Sequence, residues 1–148
     1  MSYNATVEDD IRAALQNDPR MSSPDEVAIS AVDGEVVLRG TVGNFGQRRA
    51  AASDARKVDG VEDVDDQLQV RILDADRRAD ADIRGIALQI LDWDTEVPED
   101  LVDVKVSDGW LTLTGEVSYQ FESDAAYLDV ANLQGVSGIT NEIKVITP

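Results

Sequence analysis

The chain has 148 residues, 43% of them hydrophobic, and 13 Lys and Arg stand against 30 Asp and Glu for a formal net charge of -17. It contains neither cysteine nor histidine. Disulfides, thiolate or imidazole metal sites, cysteine nucleophiles and a Ser/His/Asp arrangement are therefore excluded, and an acidic surface without a basic footprint argues against nucleic acid. No run approaches 18 apolar residues, and the opening MSYNATVEDD lacks a basic region followed by an apolar one. The expectation is a folded protein with neither membrane span nor secretory signal, hence cytoplasmic.

In chain order, Thr6 and Asp9 have the spacing of a capping box, and Val7, Ile11, Ala14 and Leu15 recur at helical intervals. They predict a short amphipathic helix. From Glu26 the period changes to two: Val27, Ile29 and Ala31 share one side, Asp33-Gly34 supplies a two-residue turn, and Val36, Leu38 and Val42 resume the buried side of a hairpin. Asn44 and Gln47 have cap spacing before a second helix with the narrow apolar stripe Ala51, Ala55 and Val58, ended by Gly60 as a C-terminal cap. Val61, Val64, Leu68 and Val70 predict a last strand, with an irregularity near Asp63 because their spacing is not strictly two. The order is αββαβ.

The stretch DGEVVLRGTV from Asp33 is matched 75 residues later by DGWLTLTGEV from Asp108. A gapless shift of 75 lays Gly34, Gly40 and Gly60 on Gly109, Gly115 and Gly135; it also pairs Ile11 with Ile86, Leu15 with Ile90 and Leu38 with Leu113. The chain reads as a tandem duplication. In the second copy Ile83, Ile86, Ala87 and Ile90 predict the first helix; Val102, Val104 and Val106 a strand; and Leu111, Leu113 and Val117 its return. Ala126, Val130 and Leu133 then mark the second helix, and Val136, Ile139, Ile143 and Val145 close the sheet. The fold class expected is α+β: two modules, each a small three-stranded mixed sheet covered by two helices, over residues 5–72 and 81–147, with a charged linker at 73–80. The six paired glycines are read as structural, serving turns, caps and close backbone approach.

Both copies carry L-x-G-x-V at the hairpin end, as LRGTV and LTGEV, and a closing segment, as VDGVEDVDDQLQV and LQGVSGITNEIKV. This pattern resembles the BON domain family, named for bacterial OsmY and nodulation proteins, with the family's asparagine present at Asn141 and replaced by Asp66 in the first copy. The resemblance implies an αββαβ fold, no catalytic residues, and roles in phospholipid binding, osmotic or envelope stress, or attachment to pores and transporters. OsmY-like proteins carry two such domains and are exported, whereas no signal is read here. A cytoplasmic relative that joins a BON domain to a LysM domain binds potassium; this chain has no LysM-like segment.

Among candidate sites, Arg48, Arg49, Arg56 and Lys57 form one local basic cluster on the second helix, with Phe45 as an apolar anchor. Such cations attract anionic lipid headgroups at about 1 kcal/mol each. The alternative is a solvated face paired with acids such as Asp54. The matching helix of the second copy has no cation, so lipid contact would be one-sided. Trp110 has strand parity opposite to Leu111 and Leu113; it should emerge on the sheet face away from the helices, as a partner surface covered by the other repeat or by a second copy in a homo-oligomer. Trp93 is predicted to plug the core beneath the loop carrying Pro98. The acid clusters from Glu62 and from Leu91 offer oxygens to a potassium or calcium ion, but neither matches a calcium loop, so no metal and no cofactor is expected. The reading is a non-enzymatic binding or scaffolding protein, stress-associated and peripheral to anionic phospholipid, with cation sensing or protein interaction and self-association as alternatives.

Overall fold

The computed structural model describes residues 5–98 and 100–146. The chain divides into two compact units, Met1–Arg71 and Ile72–Pro148. The segment 73–80 packs within the second: Arg78 donates to Gln134 Oε1 at 3.1 Å, and Gln134 donates to Asp76 at 3.2 Å.

The first unit runs α1 (Ala5–Gln16), β1 (Val27–Val32), β2 (Glu35–Val42), α2 (Phe45–Arg56) and β3 (Asp63–Val70). β2 is central, antiparallel to β1 and parallel to β3. Val7, Ile11 and Leu15 recur every fourth residue and bury one stripe of α1. Thr6 lies inside that helix, which already includes Ala5, so it does not cap it; the residues before Ala5 lie outside the described ones. Asp33 and Gly34 both take positive φ, 51° and 83°, as the mirror-image turn of a two-residue hairpin requires.

The Asn44 side chain accepts from the Gln47 amide at 2.8 Å and starts α2. Ala50, Ala51, Ala52 and Ala55 are buried beneath it, so small side chains let the helix lie close to the sheet. Gly60 is not its C-terminal cap. Lys57 holds that place in right-handed conformation, and two further turns follow, closed by Val58 to Ala55 and Val61 to Val58 hydrogen bonds, the second with Gly60 (φ 94°) inside it, before β3. Nor is β3 irregular near Asp63: eight consecutive pairs run from Glu35 with Asp63 to Val42 with Val70. Val61 breaks the alternation because it precedes the strand, and Asp66 fills the inward position between Val64 and Leu68.

The second unit repeats the plan as α3 (Asp80–Trp93), β4 (Val102–Ser107), β5 (Trp110–Val117), α4 (Gln120–Ala131) and β6 (Gly138–Val145), with sheet order β4-β5-β6. Its interior holds Ile83, Ala87 and Leu91 from α3, Val104, Leu111 and Leu113 from the hairpin, and Ala126 and Val130 from α4. Ile86 is not among them; it is 47% exposed, and Ile90 is only partly buried. The buried triplets are Val7, Ile11, Leu15 and Ile83, Ala87, Leu91, one residue beyond the 75-residue offset. The slip arises in the connection: residues 22–26 separate buried Met21 from Val27, but only 98–101 separate buried Val97 from Val102. Trp93 is likewise no core plug. It lies about 200° around the helix from Leu91 and is 71% exposed, and Val97 fills the space that Met21 fills in the first unit.

Gly40 and Gly115 sit at φ 122° and 141° where the chain entering β1 or β4 crosses the central strand, and a Cβ at either would collide with the carbonyl oxygen of Glu26 or Leu101. Only glycine fits both the dihedral and the contact.

Candidate functional site

The structure divides the basic cluster of α2. Arg48 turns to the sheet, where its Nε donates to Asp66 Oδ2 at 3.1 Å and its Nη2 reaches the Asp66 carbonyl at 3.5 Å. Asp66 Oδ1 also accepts from the Leu68 amide at 3.0 Å, so the carboxylate is engaged on both oxygens. Arg49 and Phe45 are partly buried, while Arg56 and Lys57 are exposed at the helix end. The positions of Arg48 and Asp66 are taken in the second unit by Ser123 and Asn141: Asn141 Nδ2 donates to Ser123 Oγ at 3.0 Å, and Asn141 Oδ1 accepts from the Ile143 amide at 3.0 Å.

Trp110 lies on the open face of its sheet and is 48% exposed. Its ring lies across Gly138, its ladder partner, where any Cβ would collide with it, and its indole N–H donates to Thr140 Oγ1 at 2.8 Å. The positions of Trp110, Gly138 and Thr140 are held in the first unit by Glu35, Asp63 and Asp65. One module therefore presents an immobilised indole where the other presents three carboxylates.

Two features were not read from the sequence. On α4 and its approach, Tyr119 and Phe121 stack at 5.7 Å and, with Leu128, are more than half exposed. The second is a pair of apposed carboxyls in each unit: Asp18 against Asp54 of α2, and Asp94 against Asp129 of α4, each pair within hydrogen-bonding reach. Burial, then the neighbouring Asp18, pushes Asp54 up to about 6. Burial, then Asp94, pushes Asp129 up to about 7, with Glu96 adding repulsion. Asp94 is held below its ordinary value by its bond to Asp129, and Asp18 is held far below it, chiefly by Arg20. Both acids recur at matching places, but the match of Asp18 with Asp94 depends on the one-residue slip, which only the burial pattern reveals.

Acids of both clusters accept from local donors. Asp63 accepts from the Val64 amide, Asp65 from Gln67, and Asp94 from the Glu96 amide. Among the described residues no three Asp or Glu side chains converge as metal ligands, and no helix is long and apolar enough to cross a membrane.

Two successive αββαβ modules, each with its own core and the same glycine pattern, define a duplicated α+β domain protein. The BON domain family matches residues 3–72 and 79–147, and the chain belongs to it, with two BON domains in tandem. Osmotically-inducible protein Y of Escherichia coli (strain K12) is 30% identical over 144 residues, covering 90% of this chain and 68% of that protein. Among solved structures, CdsD, a structural protein of the type III secretion system of Chlamydia trachomatis, aligns over 98% of this chain and 64% of its own, with a TM-score of 0.41 and 14% identity. The CdsD C-terminal domain aligns over 96% of this chain and 98% of its own, with a TM-score of 0.41 and 12% identity.

Proposed function

We propose that this protein is a non-enzymatic docking protein of the osmotic stress response, and that its second BON domain engages a partner protein through the open sheet face around Trp110. The osmotic assignment rests on its relative, the osmotically inducible protein of Escherichia coli. The observation that carries the docking surface is the pinned indole. Trp110 is exposed yet already fixed by Thr140 and Gly138, so little side-chain freedom is lost on binding. A rigid, exposed tryptophan is the residue type that anchors interfaces. A photo-crosslinker at Thr112, beside Trp110 on this face, tests it. Osmotic upshift should yield a discrete adduct that is lost in Trp110→Ala and absent from a crosslinker at Val37, the position of the first domain that matches Thr112. An adduct of twice the chain mass identifies the partner as a second copy; no adduct, or one unaffected by Trp110→Ala, removes the surface.

A second reading, contact with anionic phospholipid, is favoured by Arg56 and Lys57, which stand exposed at the end of α2 with Arg49 two turns behind and Phe45 at the start. It predicts co-sedimentation with phosphatidylglycerol vesicles that weakens with added salt.

A further inference from the structure

Both BON domains place a carboxyl from the turn after the first helix against one on the second helix, and each pair leaves one oxygen, Oδ2 of Asp54 or of Asp129, out of water and without a hydrogen-bond donor. Between two ionised carboxylates there are only acceptors. A bond forms across such a pair when one of them carries a proton, or a cation must bridge them. The first domain has the cation: Arg20 donates to Asp18 at 2.8 Å and reaches Asp54 at 3.5 Å, and Lys57 adds its charge to Asp54. In the second domain the matching positions are Glu96 and Asn132. The charged groups acting on Asp129 among the described residues are Asp94 and Glu96, both acidic and both from the turn after α3. That turn is short and self-bonded, with Glu96 N–H on Asp94 Oδ1 at 2.8 Å and Val97 N–H on the Asp94 carbonyl at 3.1 Å, so Asp94 is tied to its own turn.

We propose that Asp94 and Asp129 form a proton-operated latch: one shared proton holds the 94–97 turn against α4, and release of that proton to solvent drives the turn off the helix, while the Arg20-bridged pair of the first domain stays closed. The titration behaviour of the two pairs agrees. Asp129 sits at about 7, and Asp54, with its cation, at about 6. Because Asp129 titrates higher folded than unfolded, its contribution to stability is complete below its ordinary range and lost as pH rises through about 7. Asp94, held low, contributes above its ordinary range and loses its share only in acid. The second domain is thus most firmly closed in mildly acidic solution and opens on the alkaline side of neutrality.

Trp93 adjoins Asp94 and reports the turn once Trp110, the other tryptophan, is replaced by Phe. In the full-length Trp110→Phe chain, indole emission should shift with a midpoint near 7. Amide protection across 94–97 and 120–131 should fall at least about tenfold as pH rises from about 5 to about 8, after correction for intrinsic exchange. Asp129→Asn, a permanently neutral donor, should abolish the transition. Glu96→Arg, which installs the first domain's cation, should move the midpoint down by about one unit and guards against a variant that misfolds. A flat profile in the Trp110→Phe chain, a transition unchanged by Asp129→Asn, or a midpoint indifferent to Glu96→Arg would each overturn the latch.

Discussion

Arg48 and Asp66 meet at 3.1 Å on the spot where the second domain joins Ser123 to Asn141 at 3.0 Å. The repeat has kept a helix-to-strand clamp and changed its chemistry from an ion pair to a neutral hydrogen bond. What both versions retain is the strand residue's Oδ1, which accepts the amide two residues on, Leu68 or Ile143. Asp66→Ala should therefore cost about 1–3 kcal/mol in urea denaturation, because it strands both the Leu68 amide and the Arg48 guanidinium. Asp66→Asn should cost less, about 1 kcal/mol or below, since the ion pair is partly exposed and only its charge is lost. The double change Arg48→Ser with Asp66→Asn transplants the second domain's clamp and should recover stability relative to the sum of the singles; additive losses would show that the two residues do not act as a unit.

The clamp also changes what α2 can offer a membrane. Arg48 is committed within the domain, which leaves the exposed end at Arg56 and Lys57 as the face available to headgroups. If lipid contact occurs, Arg56→Glu with Lys57→Glu should abolish vesicle pelleting at low salt. Arg48→Gln should leave it within about twofold once the fraction folded is matched, because a paired cation contributes little to a patch. Equal losses from both changes would mean that Arg48 leaves Asp66 to reach the lipid.

Most of the fold was legible because its signals are local. Strand alternation, the Asp-Gly turns and the asparagine cap at Asn44 each act over a few residues, and each reappears in the folded chain. What the sequence hid was the first helix of the second repeat, where Ile86 matches Ile11 by chemistry and Ala87 matches it by burial. A single deleted residue in the following connection is invisible to periodicity, since Ile83, Ile86, Ala87 and Ile90 satisfy a helical stripe in either register. The same ambiguity misplaces Trp93, and the burial of Leu91 decides it. Leu91→Ala should destabilise the second domain by about 2–5 kcal/mol, whereas Trp93→Ala and Ile86→Ala should each stay within about 0.5 kcal/mol. Differential scanning calorimetry checks this; a large loss at Trp93 would restore it to the core.

The crossing glycines give a test that separates the domains. At Gly40 and Gly115 a side chain meets both an unfavourable positive φ and a backbone carbonyl that cannot rotate away, since Glu26 and Leu101 lie directly at the start of an edge strand. Gly40→Ala should lower the urea midpoint of the first domain, and Gly115→Ala that of the second, with the backbone alone costing about 1–3 kcal/mol and the collision adding to it. Separate transitions should then appear in one chain, each variant shifting its own, as seen by exchange of amides in β2 or β5. A single transition moved equally by both substitutions would mean that the domains unfold as one.

Arg20 sets how the first domain responds to pH. It neutralises the repulsion between Asp18 and Asp54, so its removal leaves a carboxyl pair like that of Asp94 and Asp129. In Arg20→Gln, Asp54 should titrate above its present value of about 6, since one of the two cations lowering it is gone. Asp18 should return toward its ordinary range, because its largest depressing contact is the same guanidinium. Both changes act against the folded state above mildly acidic pH. The raised group loses its contribution as pH climbs through its folded value, and the once-depressed group no longer gains from ionisation. Because Arg20 is half exposed, the penalty should be modest, about 1 kcal/mol at neutral pH, and it should shrink as both carboxyls protonate in acid. Urea midpoints of the first domain at about pH 5 and about pH 8 measure it, the variant falling further behind the parent at the higher pH. A constant gap at both would mean that Arg20 contributes through packing of its stem and not through charge.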